Sequence, residues 1–348
     1  MAAIDPARLG PLADPAQFHD PVDLRGTPPE LALAALEQMI LIRAMEERIG
    51  DGVTAGTIRC PCHLAIGQEA VAVGMAQHVR AGDRVFGAHR SHAHFLALGG
   101  SPQQLMDEVL GRDTGCSRGM GGSMHLRDVA HHFWGSVPIV AATIPIATGA
   151  ALAAQMDGKH ALAVSCFGDG ATEEGVFHES LNLAATMKLP AIFLCENNLF
   201  SSHLHISLRQ PADSTCRYAV AHCVPFERVD GNDIVAVGQA MQHAAAHARA
   251  GNGPFYIEAV TYRWRGHVGP REDVDVGVLR KDNLALWKKR DPIARLAATL
   301  MKTGHLSISA LDAMWQRVRA ATTAVWERAL TAPHPPEAAL KGRVFSNA

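Results

Sequence analysis

The feature that most constrains this chain is the order of apolar runs and helical patterns between residues 160 and 262. His160 to Phe167 reads as a short buried strand, Glu174 to Lys188 keeps helical spacing, and Ala191 to Glu196 is apolar again. A second unit follows, with strands at Phe226 to Val229 and Phe255 to Tyr262 around a helix that ends near Arg249. Strand, helix and strand in that order predict parallel pairing, because parallel neighbours need a long crossover and such crossovers are right-handed. The expected fold is α/β: a doubly wound, mainly parallel sheet with helices on both faces. The loops after residues 167, 196 and 262 then emerge at one carboxyl edge, where open α/β sheets bind ligands.

The flanks are simpler. Residues 1–26 carry several prolines and glycines with no sustained period and read as an extended N-terminal arm. The main domain is expected over 27–282. A helical C-terminal extension over 283–348, broken at Asp291-Pro292, is expected to pack on that domain or on a partner. Thr27 to Glu30 predicts a capping box with proline at the first helical position, opening a helix to about Gly50 with Leu33, Leu36, Ile40 and Met45 at helical spacing.

Composition serves mainly to exclude. The 348 residues carry 32 basic and 34 acidic side chains, a net charge of -2, with no long run of either sign. That offers no footprint for nucleic acid or an anionic membrane, and a small neutral or anionic substrate fits better. No apolar run approaches the ~20 residues of a membrane span, and no basic stretch precedes an apolar leader, so a cytoplasmic location is expected. Seven cysteines, several in apolar surroundings such as Cys166 and Cys195, read as reduced buried thiols. The cluster Cys60, Cys62 and His63 lacks a second ligand pair at zinc spacing.

Two edge loops carry chemistry. The first strand is followed by Gly168, Asp169, Gly170, Ala171 and Thr172, the second by Glu196, Asn197 and Asn198. A hard cation takes oxygen ligands, here a carboxylate and a side-chain amide, and completes its shell with phosphate and main-chain oxygens. The glycines admit backbone N–H groups to the phosphates, and the next helix points its positive end at them. Alone, Gly-Asp-Gly is a common turn. Followed by a helix, an apolar strand and Asn-Asn, it becomes strong evidence for a magnesium diphosphate site.

The stretch Gly168 to Asn198 resembles the magnesium and thiamine diphosphate motif of thiamine-dependent enzymes, in particular the alpha subunits of pyruvate, branched-chain and acetoin dehydrogenases. Other segments carry the same resemblance over roughly residues 28–330: His63 to Gly74 is similar to the first block of that family, and Gly119 to His125 to its glycine-rich segment. Ile139, Val140 and Pro145 are similar to the stretch that holds the aminopyrimidine ring, and Tyr262 to His267 to the mobile phosphate loop.

What this resemblance implies is specific. Asp169 and Asn198 would bind Mg2+ together with the Phe200 carbonyl, while Gly170 and Ala171 would offer main-chain contacts. Arg90 would pair with the diphosphate, and His89, Pro138 and Val140 would complete the thiamine diphosphate contacts. His63 and His267 would act at the reacting carbon, His267 also touching the cofactor. The implied reaction decarboxylates pyruvate or a related 2-oxo acid and passes the acyl group to lipoamide on a lipoyl-bearing acyltransferase. Acetoin is the alternative substrate, and half of a non-oxidative acyl or ketol transferase the alternative class. The glutamate that activates the cofactor would come from a beta subunit in an alpha2-beta2 assembly.

Departures stand beside the matches. His89 replaces a frequent tyrosine, Phe200 another, and Pro138 a usual glycine. The loop after His267, Val268 to Asp273, is more similar to acetoin-type members and lacks the serine that is phosphorylated in mitochondrial relatives. His92, His94, His131 and His132 read as satisfied polar or surface groups, and Arg263 and Arg265 equally as solvated strand-end charges. Residues 201–207 match no motif and are expected to shape substrate choice.

Overall fold

The computed structural model describes residues 9–158, 160–211, 214–273 and 280–343. Its strands are β1 (Arg84–Gly87), β2 (Phe133–Ser136), β3 (Ala163–Gly168), β4 (Ala191–Asn197), β5 (Phe200–Ser201), β6 (Leu204–His205), β7 (Phe226–Asp230) and β8 (Phe255–Val260). Six form one sheet in the order β2-β1-β3-β4-β8-β7, and every pairing in it is parallel. The chain steps outward from β1 to β2 and then returns to the other side of β1 as β3. The strand order therefore reverses between β1 and β3, and the crevice beyond their carboxyl ends is where such a sheet takes a ligand.

Successive residues of a strand face opposite sides, and here both sides are covered. Ile192 and Leu194 of β4 join one core with Leu64, Val71, Val164 and Ile257, whereas Phe193 and Cys195 join another with Phe167, Phe177, Leu181 and Tyr256. This double burial is why the strands read as continuous apolar runs rather than alternating ones.

The α-helices longer than four residues are α1 (Pro29–Thr54), α2 (Glu69–Ala76), α3 (His92–Ala97), α4 (Pro102–Val109), α5 (Thr143–Met156), α6 (Gly175–Met187), α7 (Cys216–Ala221), α8 (Ile234–Arg249), α9 (Lys281–Trp287), α10 (Pro292–Lys302) and α11 (Ile308–Thr331). Apolar residues of α1, α2 and α8 fill the first core, and those of α5 and α6 the second. Ile293, Leu296 and Leu300 of α10 and Trp326 of α11 also enter the first core, so the C-terminal helices pack on the same body. The expected break at Asp291-Pro292 is the start of α10, where the Asp291 carboxylate accepts the Ile293 N–H at 3.1 Å.

Some expectations need correction. The capping box does not form: Pro28 is the N-cap of α1 and makes no side-chain cap, while the Thr27 N–H turns back to the Leu24 carbonyl at 2.7 Å. Two consecutive prolines lack N–H groups, so this helix start has fewer donors to satisfy. The helix also runs past Gly50 to Thr54. All seven cysteines are free, but only Cys62, Cys166, Cys195 and Cys216 are buried, and Cys223 is exposed. The described part of the N-terminal arm is tied down, its Leu9 and Leu12 carbonyls each accepting from a guanidinium, Arg228 and Arg290, at 2.8 Å. Among the described residues no helix is long and apolar enough to cross a membrane.

Candidate active site

The turn after β3 carries Asp169, buried to 1% exposure. Its Oδ2 pairs with the Arg209 guanidinium, whereas its Oδ1 is buried without a hydrogen-bond partner among the described residues. A β-carbon on Gly170 would stand 2.5 Å from Ser201 Oγ, so only glycine lets the β5–β6 hairpin close over this turn. One strand over, Asn198 follows β4. Its Nδ2 donates to Gln68 Oε1 at 3.1 Å, and Gln68 Nε2 donates to Glu196 Oε2 at 3.0 Å. Asn198 Oδ1 is left with a single long contact, the Phe200 N–H at 3.3 Å. Two oxygens of the type a hard cation prefers thus end adjacent parallel strands.

Three further loops converge on the same crevice. The segment before α2 brings in His63 and Gln68, and it is fixed by Gly67, whose φ is +95° and whose added β-carbon would lie 2.4 Å from Trp264. The Gly67 N–H donates to the Glu69 carboxylate, which is itself paired with Arg43. The loop after β1 supplies His89 and Arg90, and Arg90 donates to the Leu64 carbonyl at 2.6 Å and the His267 carbonyl at 3.3 Å. The loop after β8 supplies Arg263 and His267. Tyr262 at its start stacks on Trp287 with centroids 5.1 Å apart, and the His267 N–H donates to Asp273 Oδ2 at 2.7 Å.

The electrostatics favour an anion. Burial, reinforced by His89 and Arg90, pushes the His63 imidazole down to about 2. Burial, then Arg90, holds His89 down at about 3, and burial, then Arg90 and Arg263, holds His267 at about 4. All three rings are therefore neutral near pH 7. Burial also lowers Arg90 to about 10 and Arg263 to about 9, yet both stay charged at neutral pH. Burial raises the Asp169 carboxyl above its ordinary value, opposed by Arg209.

One cavity of about 230 Å³ is lined by His63, His89, Arg90, Pro138, Val140, Asp169, Gly170, Ala171, Asn198, Phe200 and His267. Each residue that the resemblance assigns to the metal, the cofactor contacts or the reacting carbon lines it. A larger cavity, about 630 Å³, lies beside α1 and α8, but among the described residues only Arg25 and His78 of its lining are ionisable, so it offers no comparable chemistry.

Several lining groups carried no recognisable signal in the sequence. Arg263 is 1% exposed and faces the cavity, which removes the reading of a solvated strand-end charge. His94 is also buried there, its Nε2 2.6 Å from Glu196 Oε1 in an ion-pair contact that is off the hydrogen-bond axis. Burial disfavours its charged form, but Cys166 and Glu196 outweigh this and raise it well above its ordinary value. His92 is a satisfied core group between Glu46 and Ser123, and His131 is an exposed partner of Asp128. Residues 201–207 include the turn of the β5–β6 hairpin, whose Ser201 and Ser202 line the cavity. The glycine-rich segment does not reach it: N–H groups of Gly119, Gly121 and Gly122 converge instead on the buried Glu108 carboxylate at 2.7–3.1 Å.

Residues 37–337 match the family model described as the dehydrogenase E1 component. The chain belongs to the dehydrogenase E1 component family. Among curated relatives, it is 37% identical to the pyruvate dehydrogenase E1 component subunit alpha of Rhizobium meliloti (strain 1021), over 82% of each chain. It is 34% identical to the somatic mitochondrial form of that subunit from Homo sapiens, over 91% of this chain and 80% of the relative. It is likewise 34% identical to the alpha subunit of acetoin:2,6-dichlorophenolindophenol oxidoreductase from Bacillus subtilis (strain 168), over 91% of this chain and 94% of that one. The match to the E1 family begins inside α1 and ends after α11, so it takes in every loop that lines the cavity.

Proposed function

We propose that this chain is the alpha subunit of a thiamine diphosphate-dependent E1 component that decarboxylates pyruvate or a related 2-oxo acid and passes the acyl group to lipoamide. The observation that carries the reading is the pair Asp169 and Asn198 at the ends of adjacent parallel strands, beside three neutral imidazoles and two buried guanidiniums. The residues fit Mg2+: Asp169 Oδ1 is a buried acceptor without a donor, and the Asn198 amide is turned by Gln68 so that its oxygen is the available atom. These two and the Phe200 carbonyl would hold the metal, while Arg209 on Oδ2 keeps the carboxylate in place.

Arg90 and Arg263 would neutralise the diphosphate, and Gly170 and Ala171 would bring main-chain N–H groups to it. The bound cofactor supplies the electron sink that lets a bond beside a carbonyl break. His63, His89 and His267 are neutral and can accept a proton at a ring nitrogen or, once charged, hand it on to the sulfur released when the lipoyl S–S bond opens to take the acyl group. Their low-dielectric surroundings strengthen each of these contacts.

The cavity supports a shared site. At about 230 Å³ it is below the ~300 Å³ of a complete small-molecule pocket. Its rim segment is exposed, Ile139 by 69% and Val140 by 47%. The neighbouring helices α5 and α6 expose Ile146, Met156, Leu183 and Met187 as well. A beta subunit seated on this face would close the site and supply the activating glutamate; a lipoyl-bearing acyltransferase would receive the acyl group. Acetoin is a second reading, favoured by the Val268 to Asp273 loop.

The test is calorimetric titration of the chain, with its partner, using thiamine diphosphate with and without Mg2+. Saturable binding that needs the metal supports the reading. Equal binding without metal, or none, would remove it.

A further inference from the structure

His63, His89 and His267 come from three separate loops, yet one nitrogen of each lies within 4.8 Å of one nitrogen of the other two. The rings are inclined at 57°, 76° and 72° with centroids 4.4, 4.9 and 5.4 Å apart, so they meet at edges rather than stack. His63 is 6% exposed, and its Nδ1 and that of His267 are buried with no hydrogen-bond partner among the described residues. Buried ring nitrogens normally find a partner, and two orphans in one cluster call for an occupant.

We propose that these three imidazoles form a binding site for a first-row divalent transition metal, Zn2+ above all, separate from the Asp169 and Asn198 oxygens. Neutral imidazole nitrogen is a good ligand for zinc, cobalt, nickel and copper and a poor one for magnesium, so the two sites sort cations by ligand type. Zinc at roughly 2.0–2.1 Å from each ligand needs nitrogens about 3.4 Å apart in a tetrahedron. Each ring therefore has to move by less than about 1 Å toward the common centre, which side-chain rotation accomplishes. The fourth position is left to water, as in three-histidine zinc sites.

Arg90 and Arg263 oppose a second positive charge here, while Asp273 beside His267 and the buried Asp169 offset them. Affinity is accordingly expected below that of a structural site with thiolate ligands. The metal would occupy the nitrogen lone pairs that the proposed reaction uses for protons. Zn2+ would then inhibit without displacing Mg2+, a consequence that rests on the reading given under Proposed function; the binding itself does not.

The test uses the chain with its native partner, freed of cofactor and metal by chelation, and Co2+ as a spectroscopic probe. One equivalent is expected to give visible ligand-field bands, lost on adding Zn2+ but not excess Mg2+. H89F and, independently, H63Q are each expected to weaken Co2+ binding at least tenfold, with folding checked by circular dichroism. X-ray absorption on the unaltered protein, where no variant has to fold, should count about three imidazoles around cobalt. An oxygen-only shell, displacement by Mg2+, or Co2+ affinity unchanged in folded H89F and H63Q would overturn the proposal. Metal-dependent thiamine diphosphate binding, measured on the same preparation, reports separately on the cofactor reading, so either can fail alone.

Discussion

Asn198 is held by Gln68: the Asn198 Nδ2 donates to Gln68 Oε1 at 3.1 Å, and Gln68 in turn donates to Glu196 at 3.0 Å. Gln68 touches neither Mg2+ nor phosphate in our account, but it decides which end of the Asn198 amide faces the metal. Outer-shell partners of this kind are worth about 10–100-fold in metal affinity. Gln68→Leu should therefore weaken the Mg2+ dependence of thiamine diphosphate binding by that factor, read from titrations at several Mg2+ concentrations. An unchanged Mg2+ requirement would mean that Asn198 is not a ligand.

Asp169→Asn removes the only carboxylate we assign to the metal. Binding of the Mg2+ cofactor should fall by at least about 100-fold, on the order of 3 kcal/mol. The amide can still accept from Arg209, so the fold should survive, and circular dichroism checks that. Full-strength, Mg2+-dependent binding in the variant would rule out Asp169.

His267→Ala should lower kcat by about 10²–10⁴-fold, the usual range for a lost acid or base. Thiamine diphosphate affinity should fall by much less. Steady-state assays beside direct titration separate the two, and a loss confined to affinity would make His267 a binding group only.

The three depressed imidazoles carry a pH signature. A histidine whose folded value lies below its unfolded one, near 6.5, contributes stability that is present above pH 6.5 and lost as pH falls toward the folded value. For His63 that window runs from about 6.5 down to about 2. At pH 5 its share of the loss should be on the order of 1–2 kcal/mol relative to pH 7.5. His63→Gln has no proton to take up, so its denaturant midpoint should fall less between those two pH values than that of the unaltered protein. Equal losses would show that His63 is not protonated on unfolding.

Ile146 and Met156 are exposed on one helix, beside exposed Leu183 and Met187 on the next. Replacing Ile146 and Met156 together by glutamate should weaken association with the beta chain at least about tenfold, a central charge being costly in an apolar interface. Native mass spectrometry over a dilution series measures this. Unaltered association would move the interface elsewhere.

What could be read from sequence was local. Asp169 and Asn198 were legible because each follows its strand directly, and the strands, buried on both faces, announce themselves as apolar runs. The histidines and Arg90 were found through resemblance, since single residues in loops carry no period. Gln68 and Arg209 escaped notice, and His94 was read as a satisfied polar or surface group, because their partners are remote in the chain: Gln68 meets Asn198 across 130 residues and Arg209 meets Asp169 across 40. The capping box failed for a different reason. Its local pattern was present, but Pro28 took the N-cap position and left Thr27 outside the helix.

On the reading proposed above, this chain supplies the metal and diphosphate half of an active site shared with a second chain. The most direct measurement is lipoamide-dependent release of carbon dioxide from pyruvate by the native complex, compared with the separated chains under saturating thiamine diphosphate and Mg2+. Turnover by the complex, none by either chain alone, and recovery when the two are recombined are expected. Turnover by this chain alone would contradict that reading.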